Sequence, residues 1–306
     1  MKKTLVAVAA IAAFSVAHAE VTITGVMESA IKSTGGSTTV IGGTNGSEID
    51  FGVSEDLGNG LKANASAAVL VSLFNGMAGQ GNAALGTSAA AATGSTSLYN
   101  SYIGLSSADF GSVKLGQQFS PTFFVGAVGD VGGRAAISSY QAGGLTGQIA
   151  SSLTYTSPSI SGLTVQVQKA LDNTITAVQG KGYQGYSLTY ANGGLTAAIG
   201  GAQKSVSGTT SGITEQVAGA SYDFGVAKLF AGWSGKNTAK QSGSGVGIAV
   251  PVGAFTLGVG TSKQGTTTAN DYAVFYAFSK KTQGYVAMNT TTTLKNTSLV
   301  GVRHNF

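Results

Sequence analysis

The chain has 306 residues, of which 47 are glycine and 9% are charged, compared with about 25% charged residues in typical soluble domains. Mean hydropathy is +0.21, yet no stretch beyond the N-terminal segment is long and apolar enough for a membrane-spanning helix. The sequence contains no cysteine, which excludes a disulfide scaffold, and the combination favours a membrane β-barrel over a helical membrane protein.

Residues 1–19 have the plan of a secretory signal peptide: Lys2 and Lys3, an apolar run over 5–16, and an A-x-A cleavage motif ending at Ala19. We therefore expect export and cleavage. Loss of the two lysines reduces the basic residues from 17 to 15 against 12 acidic ones, a net charge of +3. So small an excess predicts no nucleic-acid partner.

Residues 20–306 alternate apolar and polar side chains in successive short segments, as in Ile49, Phe51 and Val53 against Glu48. Successive side chains of a strand point to opposite faces, so each segment has one apolar and one wet face. The pattern predicts a 16-stranded antiparallel transmembrane β-barrel with its apolar face toward lipid. We place strands at 21–34, 48–54, 61–73, 97–106, 112–120, 148–157, 163–171, 183–191, 195–206, 213–223, 226–236, 243–251, 254–264, 270–280, 283–292 and 297–306.

The connections alternate in length along the chain. Short turns are predicted at 57–60, 107–111, 158–162, 191–194, 223–225, 251–253 and 280–283. Longer connections are predicted at 35–46, 76–96, 121–147, 172–182, 207–212, 237–242, 265–269 and 293–296. Short periplasmic turns and longer extracellular loops are typical of outer-membrane barrels.

The last predicted strand ends on Phe306, with Val300, Val302 and His304 on the same face. An unpaired strand edge is not tolerated in hydrocarbon, so this strand must pair with the first one, and Phe306 would close the barrel.

Aromatic residues cluster beside the predicted short turns, as expected for a girdle at one membrane interface. These residues are Phe110, Tyr155, Tyr190, Tyr222, Phe224, Phe255, Phe278, Tyr285 and Phe306. The alternative, a soluble β-sandwich with aromatic core positions, explains neither the scarcity of charge nor the alternation of loop lengths.

Strict alternation also predicts which charged side chains line the lumen. A Lys or Arg on the lipid face near the midplane would cost about 2–4 kcal/mol, so inward placement is favoured. The residues are Glu28, Lys32, Glu48, Asp50, Lys62, Lys114, Glu215, Lys228 and Arg303. Their alternative role is only to solvate the wall of a wet channel.

Four segments resemble the Gram-negative general porins of the betaproteobacterial type. They are S-E-I-D-F-G-V-S-E-D-L-G-N-G-L-K-A at 47–63, S-Y-I-G-L-S-S-A-D-F-G-S-V-K-L-G-Q-Q-F-S-P at 101–121, L-T-Y-T-S-P-S-I-S-G-L at 153–163, and V-G-V-R-H-N-F at 300–306. The resemblance implies a homotrimer of water-filled barrels that admit ions and small hydrophilic solutes, in contact with outer-membrane lipid and lipopolysaccharide.

In such porins the third long loop folds into the barrel and narrows it. By position this constriction loop is 121–147, which carries Asp130 and Arg134; the alternative is a glycine-rich surface loop. Members of the family commonly have Arg where this chain has Glu48 and Gln117, so resemblance to anion-preferring porins does not predict anion selectivity. Gln117 shares its phase with apolar neighbours, so placing it inward requires a bulge.

The sequence therefore predicts passive diffusion and no enzymatic activity. After cleavage the chain would retain one histidine, His304, and it has no cysteine, so nucleophilic catalysis is not supported. No metal-ligand cluster or cofactor motif is found. A structural or adhesive outer-membrane barrel with a plugged lumen remains the alternative, because residues 76–94 are rich in Ala and Gly.

Overall fold

A computed structural model describes most of the chain. The described residues are 19–41, 47–73, 98–130, 145, 147–171, 182–204, 213–235, 242–293 and 295–306. The predicted signal peptide lies outside them, apart from Ala19. None of the helices in this part of the chain is both long and apolar enough to cross a membrane.

The described residues form seventeen strands and one helix. The first strands are β1 (Glu20–Thr34), β2 (Ser37–Ile41), β3 (Ser47–Gly58), β4 (Leu61–Val71), β5 (Leu98–Ser107) and β6 (Gly111–Phe119). The helix α1 (Pro121–Val128) precedes β7 (Gln148–Thr156), β8 (Leu163–Ala170), β9 (Gln184–Asn192), β10 (Leu195–Lys204) and β11 (Ile213–Asp223). The chain ends with β12 (Lys228–Ser234), β13 (Gly243–Val252), β14 (Phe255–Gln264), β15 (Thr267–Ala277), β16 (Thr282–Thr291) and β17 (Thr297–Asn305).

The sheet closes on itself as an antiparallel barrel. Each strand from β3 onward pairs with the next, and β17 pairs with β1 from Val26 opposite Asn305 to Thr34 opposite Thr297. Phe306 continues this seam, because its N–H donates to the Gly25 carbonyl at 3.1 Å and its carbonyl accepts from the Gly25 N–H at 3.3 Å. A closed wall leaves no unpaired edge toward lipid.

The second strand of the barrel wall is divided into β2 and β3, so seventeen strands build a sixteen-stranded barrel. Gly35 and Gly36 form a tight turn with φ of 55° and 90°, and β2 returns along β1 immediately after it. The prediction of a long connection over 35–46 was therefore wrong at Ser37–Ile41, where a β-branched run pairs with β1. At the division, Ser47 Oγ accepts from the Glu28 N–H and donates to the Glu28 carbonyl.

The two faces of the wall differ as the alternating pattern predicts. On β17, Val300 and Val302 are 56% and 53% exposed on the outer face, whereas Leu299 is 4% exposed on the inner face. On β5, Ile103 is 65% exposed in the outward phase. This apolar outer surface is suited to contact with lipid hydrocarbon.

Two details of the rims differ from the sequence predictions. The longer connection predicted at 265–269 is a tight turn at Gly265 (φ 57°), because β15 already begins at Thr267. Tyr285 does not belong to the aromatic girdle: its ring is 4% exposed and shares the inward phase of β16 with Ala287. The other eight aromatic residues predicted for the girdle are at least 36% exposed.

Gly25 lies at the seam between β1 and β17, where a larger side chain would meet neighbouring atoms. A Cβ atom at Gly25 would meet the Glu48 carbonyl oxygen and would lie 2.7 Å from Cζ of Phe306. We expect Gly25→Ala to destabilise the barrel by about 1–3 kcal/mol, as overpacking does elsewhere. The thermal midpoint of heat-modifiable gel migration would fall, while Gly147→Ala, which meets nothing within 4 Å, would leave it unchanged. Equal midpoints for both variants would contradict this prediction.

Candidate functional site: the lumen of the barrel

The helix α1 follows β6 directly and starts at a well-formed N-terminal cap. Ser120 has φ −72° and ψ 150°, and its Oγ accepts from the Phe123 N–H at 3.1 Å. Pro121 occupies the start of the helix, where its missing N–H costs nothing. The Ser-Pro pair was the available sequence signal for this helix, which the sequence analysis did not predict.

The helix lies inside the barrel against β9 to β12. Thr122 Oγ1 donates to Glu215 Oε2 at 2.8 Å, and Glu215 Oε1 lies 3.6 Å from Lys204 Nζ. Val125 packs with Val217 in an apolar cluster beneath the helix. Glu215 and Val217 share the phase of β11 opposite to its exposed side chains, so α1 covers the inner face of the wall.

A buried ion pair occupies the inner face of the seam. Glu28 is 1% exposed and lies opposite Arg303 in the register of β1 and β17. Glu28 Oε2 lies 2.8 Å from Arg303 Nη2 and accepts from Arg303 Nε at 3.0 Å, and Glu28 Oε1 accepts from Tyr285 Oη at 2.7 Å. In the sheet, β10 is halfway round the barrel from β1, so this cluster and α1 lie on opposite walls.

Two carboxyl groups lie within electrostatic range of each other beyond the C-terminal end of α1. Asp130 follows the helix cap at Gly129 and is 3% exposed. It lies within electrostatic range of Asp271 on β15, whose Oδ1 accepts from the Asn289 side-chain amide. Asp271 and Asn289 escaped the sequence analysis, although both share the predicted inward phase of their strands.

Four further predicted residues lie along the inner phase of the first strands. Lys32 is half-buried on β1, opposite Leu299 of β17, and Glu48 is half-buried near the division of the second wall strand. Asp50 Oδ1 accepts from Ser66 Oγ at 2.9 Å. Lys62 is exposed at the short-turn end of β4.

Lys114 lies on the inner phase of β6 with its Nζ 4.2 Å from the centre of the Tyr102 ring. The register of β6 against β7 shifts between Gly116 and Gln118. Despite this shift, Gln118 and not Gln117 shares the inward phase of Lys114, and Gln118 is 5% exposed. Gln117 keeps the opposite, outward phase. Arg134 lies outside the described residues.

Tyr183 is buried between the wall and the start of α1. Its ring covers Gly185, where a Cβ atom would lie 2.7 Å from Cζ of Tyr183. Burial, and secondarily the charge of Glu215, raise the pKa of the Tyr183 phenol above its ordinary value, so the hydroxyl stays protonated. Among the described residues, no group of His, Asp and Glu side chains has an arrangement that could hold a metal ion.

Three phenylalanines surround the N-terminal end of α1. The rings of Phe119 and Phe123 are stacked with centroids 4.6 Å apart, and Phe124 meets them edge-on at 5.8 and 6.1 Å. Phe124 is 49% exposed. These residues are not among the predicted site residues, although the motif F-S-P-T-F-F is visible at 119–124.

A closed sixteen-stranded barrel with an apolar outer face and a helix held against its charged inner wall defines an outer-membrane channel. Residues 5–296 match the family model described as Gram-negative porin. The chain belongs to this family, and it is an outer-membrane protein that provides a channel for passive solute diffusion.

Solved structures share the fold at low sequence identity. An anion-selective porin from Comamonas acidovorans is 20% identical with a TM-score of 0.75, over 94% of this chain and 100% of that one. OmpF of Salmonella typhi, in a complex with daunomycin, is 14% identical with a TM-score of 0.70, over 95% and 98%. The trimer form of OmpT from Vibrio cholerae is 14% identical with a TM-score of 0.68, over 94% and 99%. No curated protein was found to match the chain.

Proposed function

We propose that residues 1–19 export the chain, that it assembles as a homotrimer, and that residues 121–147 narrow each pore. The constriction is inferred from one observation, the position of α1. Thr122 donates to Glu215 on the inner wall, so the chain after β6 enters the lumen. A trimer form is described for the Vibrio cholerae relative, which supports the homotrimer.

Passage through such a pore is passive. Hydrogen bonds between neighbouring strands satisfy the backbone N–H and C=O groups of the closed wall. Polar side chains on the inner face hold water along the path of the solute. Solutes are then filtered by the width left beside α1 and by the field of the charged groups around it. We propose no catalytic role, and no observation on the described residues favours a plugged lumen.

We do not extend anion selectivity from the Comamonas acidovorans porin to this chain. Glu215 and Glu28 each contact a cation, and the carboxyl groups of Asp130 and Asp271 lie within electrostatic range of each other near the end of α1. An ionised carboxylate attracts cations and repels anions. We therefore propose a preference for cations at this level of the pore, modified by Arg134.

Ion conductance tests the proposed function. Purified protein inserted into planar bilayers should give open-channel current steps in groups of three. The reversal potential under a salt gradient then reports the sign of the field in the pore. A silent bilayer after verified insertion would refute the channel, and steps that occur only singly would refute the trimer.

Asp130 and Arg134 provide a test of the constriction loop. We expect Asp130→Ala to shift the reversal potential toward anions and Arg134→Ala to shift it toward cations, because each removes one charge from the narrow part of the pore. Asp109→Ala, at the exposed turn after β5, is the matched control and should leave the potential unchanged. Identical potentials in all three variants would remove Asp130 and Arg134 from the constriction.

A further inference from the structure

We propose that Phe119, Phe123 and Phe124 form a binding site inside the pore for solutes that carry an aromatic ring together with polar or charged groups. This inference rests on the proposed function, because it requires the start of 121–147 to lie beside the path of permeating solutes.

The orientation of α1 directs the rings of Phe123 and Phe124 away from the wall, and the ring of Phe119 at the end of β6 stacks on that of Phe123. Pro121, Thr122 and Val125 are buried against β9 to β12, and they lie on one side of the helix. At about 100° per residue, positions 123 and 124 fall on the opposite side. Phe123 is accordingly half-buried and Phe124 is 49% exposed, on the side of α1 that faces the lumen.

The geometry of the rings suits recognition of another aromatic ring. Phe119 and Phe123 are nearly parallel, with an interplanar angle of 6°, whereas Phe124 is inclined at 65° and 67° to them. A further ring can therefore meet Phe124 either edge-to-face or offset-stacked, which are the arrangements that aromatic pairs prefer. An aliphatic solute gains no such interaction from the same surface.

The site is held in place before a solute arrives. Gln168 Nε2 donates to the Phe119 carbonyl at 3.3 Å, and the Ser120 N–H donates to the Gly147 carbonyl at 2.7 Å. Thr122 is anchored to Glu215. A pre-positioned surface loses little conformational freedom on binding, so weak ring contacts suffice to delay a solute without blocking the pore.

Zwitterionic amino acids are suitable probes because their zero net charge separates ring recognition from ion selectivity. L-Phenylalanine or L-tryptophan added to one side of a bilayer should produce brief current interruptions that L-alanine and L-leucine do not produce. In Phe124→Ala these interruptions should shorten about three- to tenfold, which corresponds to the loss of one aromatic pair. Phe124→Leu keeps an apolar side chain and should behave like Phe124→Ala.

Phe110→Ala removes a phenylalanine that is even more exposed than Phe124 (77% against 49%) but lies at the short turn between β5 and β6, so it should retain the interruptions of the parent protein. Interruptions of equal duration for L-leucine and L-phenylalanine, or in Phe124→Ala and the parent, would overturn the aromatic site. These results would leave the channel itself intact, because conductance in salt alone is recorded in the same experiment. Absence of that conductance would overturn both proposals.

Discussion

Replacement of Arg303 by Met is expected to destabilise the barrel by about 3–5 kcal/mol, because it leaves a buried carboxylate without its cation. Glu28 is 1% exposed; it accepts a hydrogen bond from Arg303 Nε and forms an ion pair with Arg303 Nη2. Of the contacts that Glu28 makes with Arg303 and Tyr285, the variant would keep only the hydrogen bond from the Tyr285 hydroxyl. That hydroxyl carries no charge to compensate the carboxylate. The loss should appear as a lower thermal midpoint of heat-modifiable migration and a lower urea midpoint in detergent.

A double variant separates this effect from the simple loss of a positive charge. Glu28→Gln combined with Arg303→Met removes both charges and keeps an acceptor for Tyr285, so it should recover most of the lost stability. Lys228→Met is the matched control: this lysine is also on the inner face, with its Nζ 5.3 Å from the Phe230 ring centre, and its loss should cost less than about 1 kcal/mol. A double variant as unstable as Arg303→Met alone would show that the unpaired Glu28 carboxylate is not the cause of the instability.

Replacement of Glu215 by Ala is expected to release α1 from the wall. Glu215 accepts the Thr122 hydroxyl and neutralises Lys204, and a hydrogen bond to a charged group contributes about 1.5–3 kcal/mol. The ratio of detached to seated helix should therefore rise about tenfold or more. Single-channel records should show higher mean conductance and increased open-channel noise.

Glu215→Gln is the control for this prediction, because its side-chain carbonyl still accepts from Thr122 while the charge is lost. It should stay closer to the parent conductance than Glu215→Ala. Thr122→Val removes the hydroxyl and leaves the ion pair with Lys204 intact, so it should reproduce the noise in weaker form. Unchanged conductance and noise in Glu215→Ala would show that α1 is seated by its apolar contacts alone.

The barrel was largely predictable from the sequence because the alternation of side chains is a local property of a strand. Val300, Val302 and Leu299 lie on the faces that alternation predicts. Errors arose where a local signal was underestimated: the Gly35-Gly36 turn starts β2 early, and the Ser120-Pro121 pair starts a helix. Tyr285 was assigned to the girdle because it lies near a short turn, although its phase on β16 points inward.

The sequence by itself determined that the wall is a transmembrane β-barrel, that Glu28 and Arg303 point inward, and that the last strand ends at Phe306. Each of these features depends only on neighbouring residues. Tertiary structure alone decided that Glu28 meets Arg303 and that Thr122 meets Glu215, pairs separated by 275 and 93 positions along the chain. Which side chains become neighbours depends on the register of the closing seam and on the path of the chain after β6. Those are properties of the closed barrel as a whole, and no local pattern of residues encodes them.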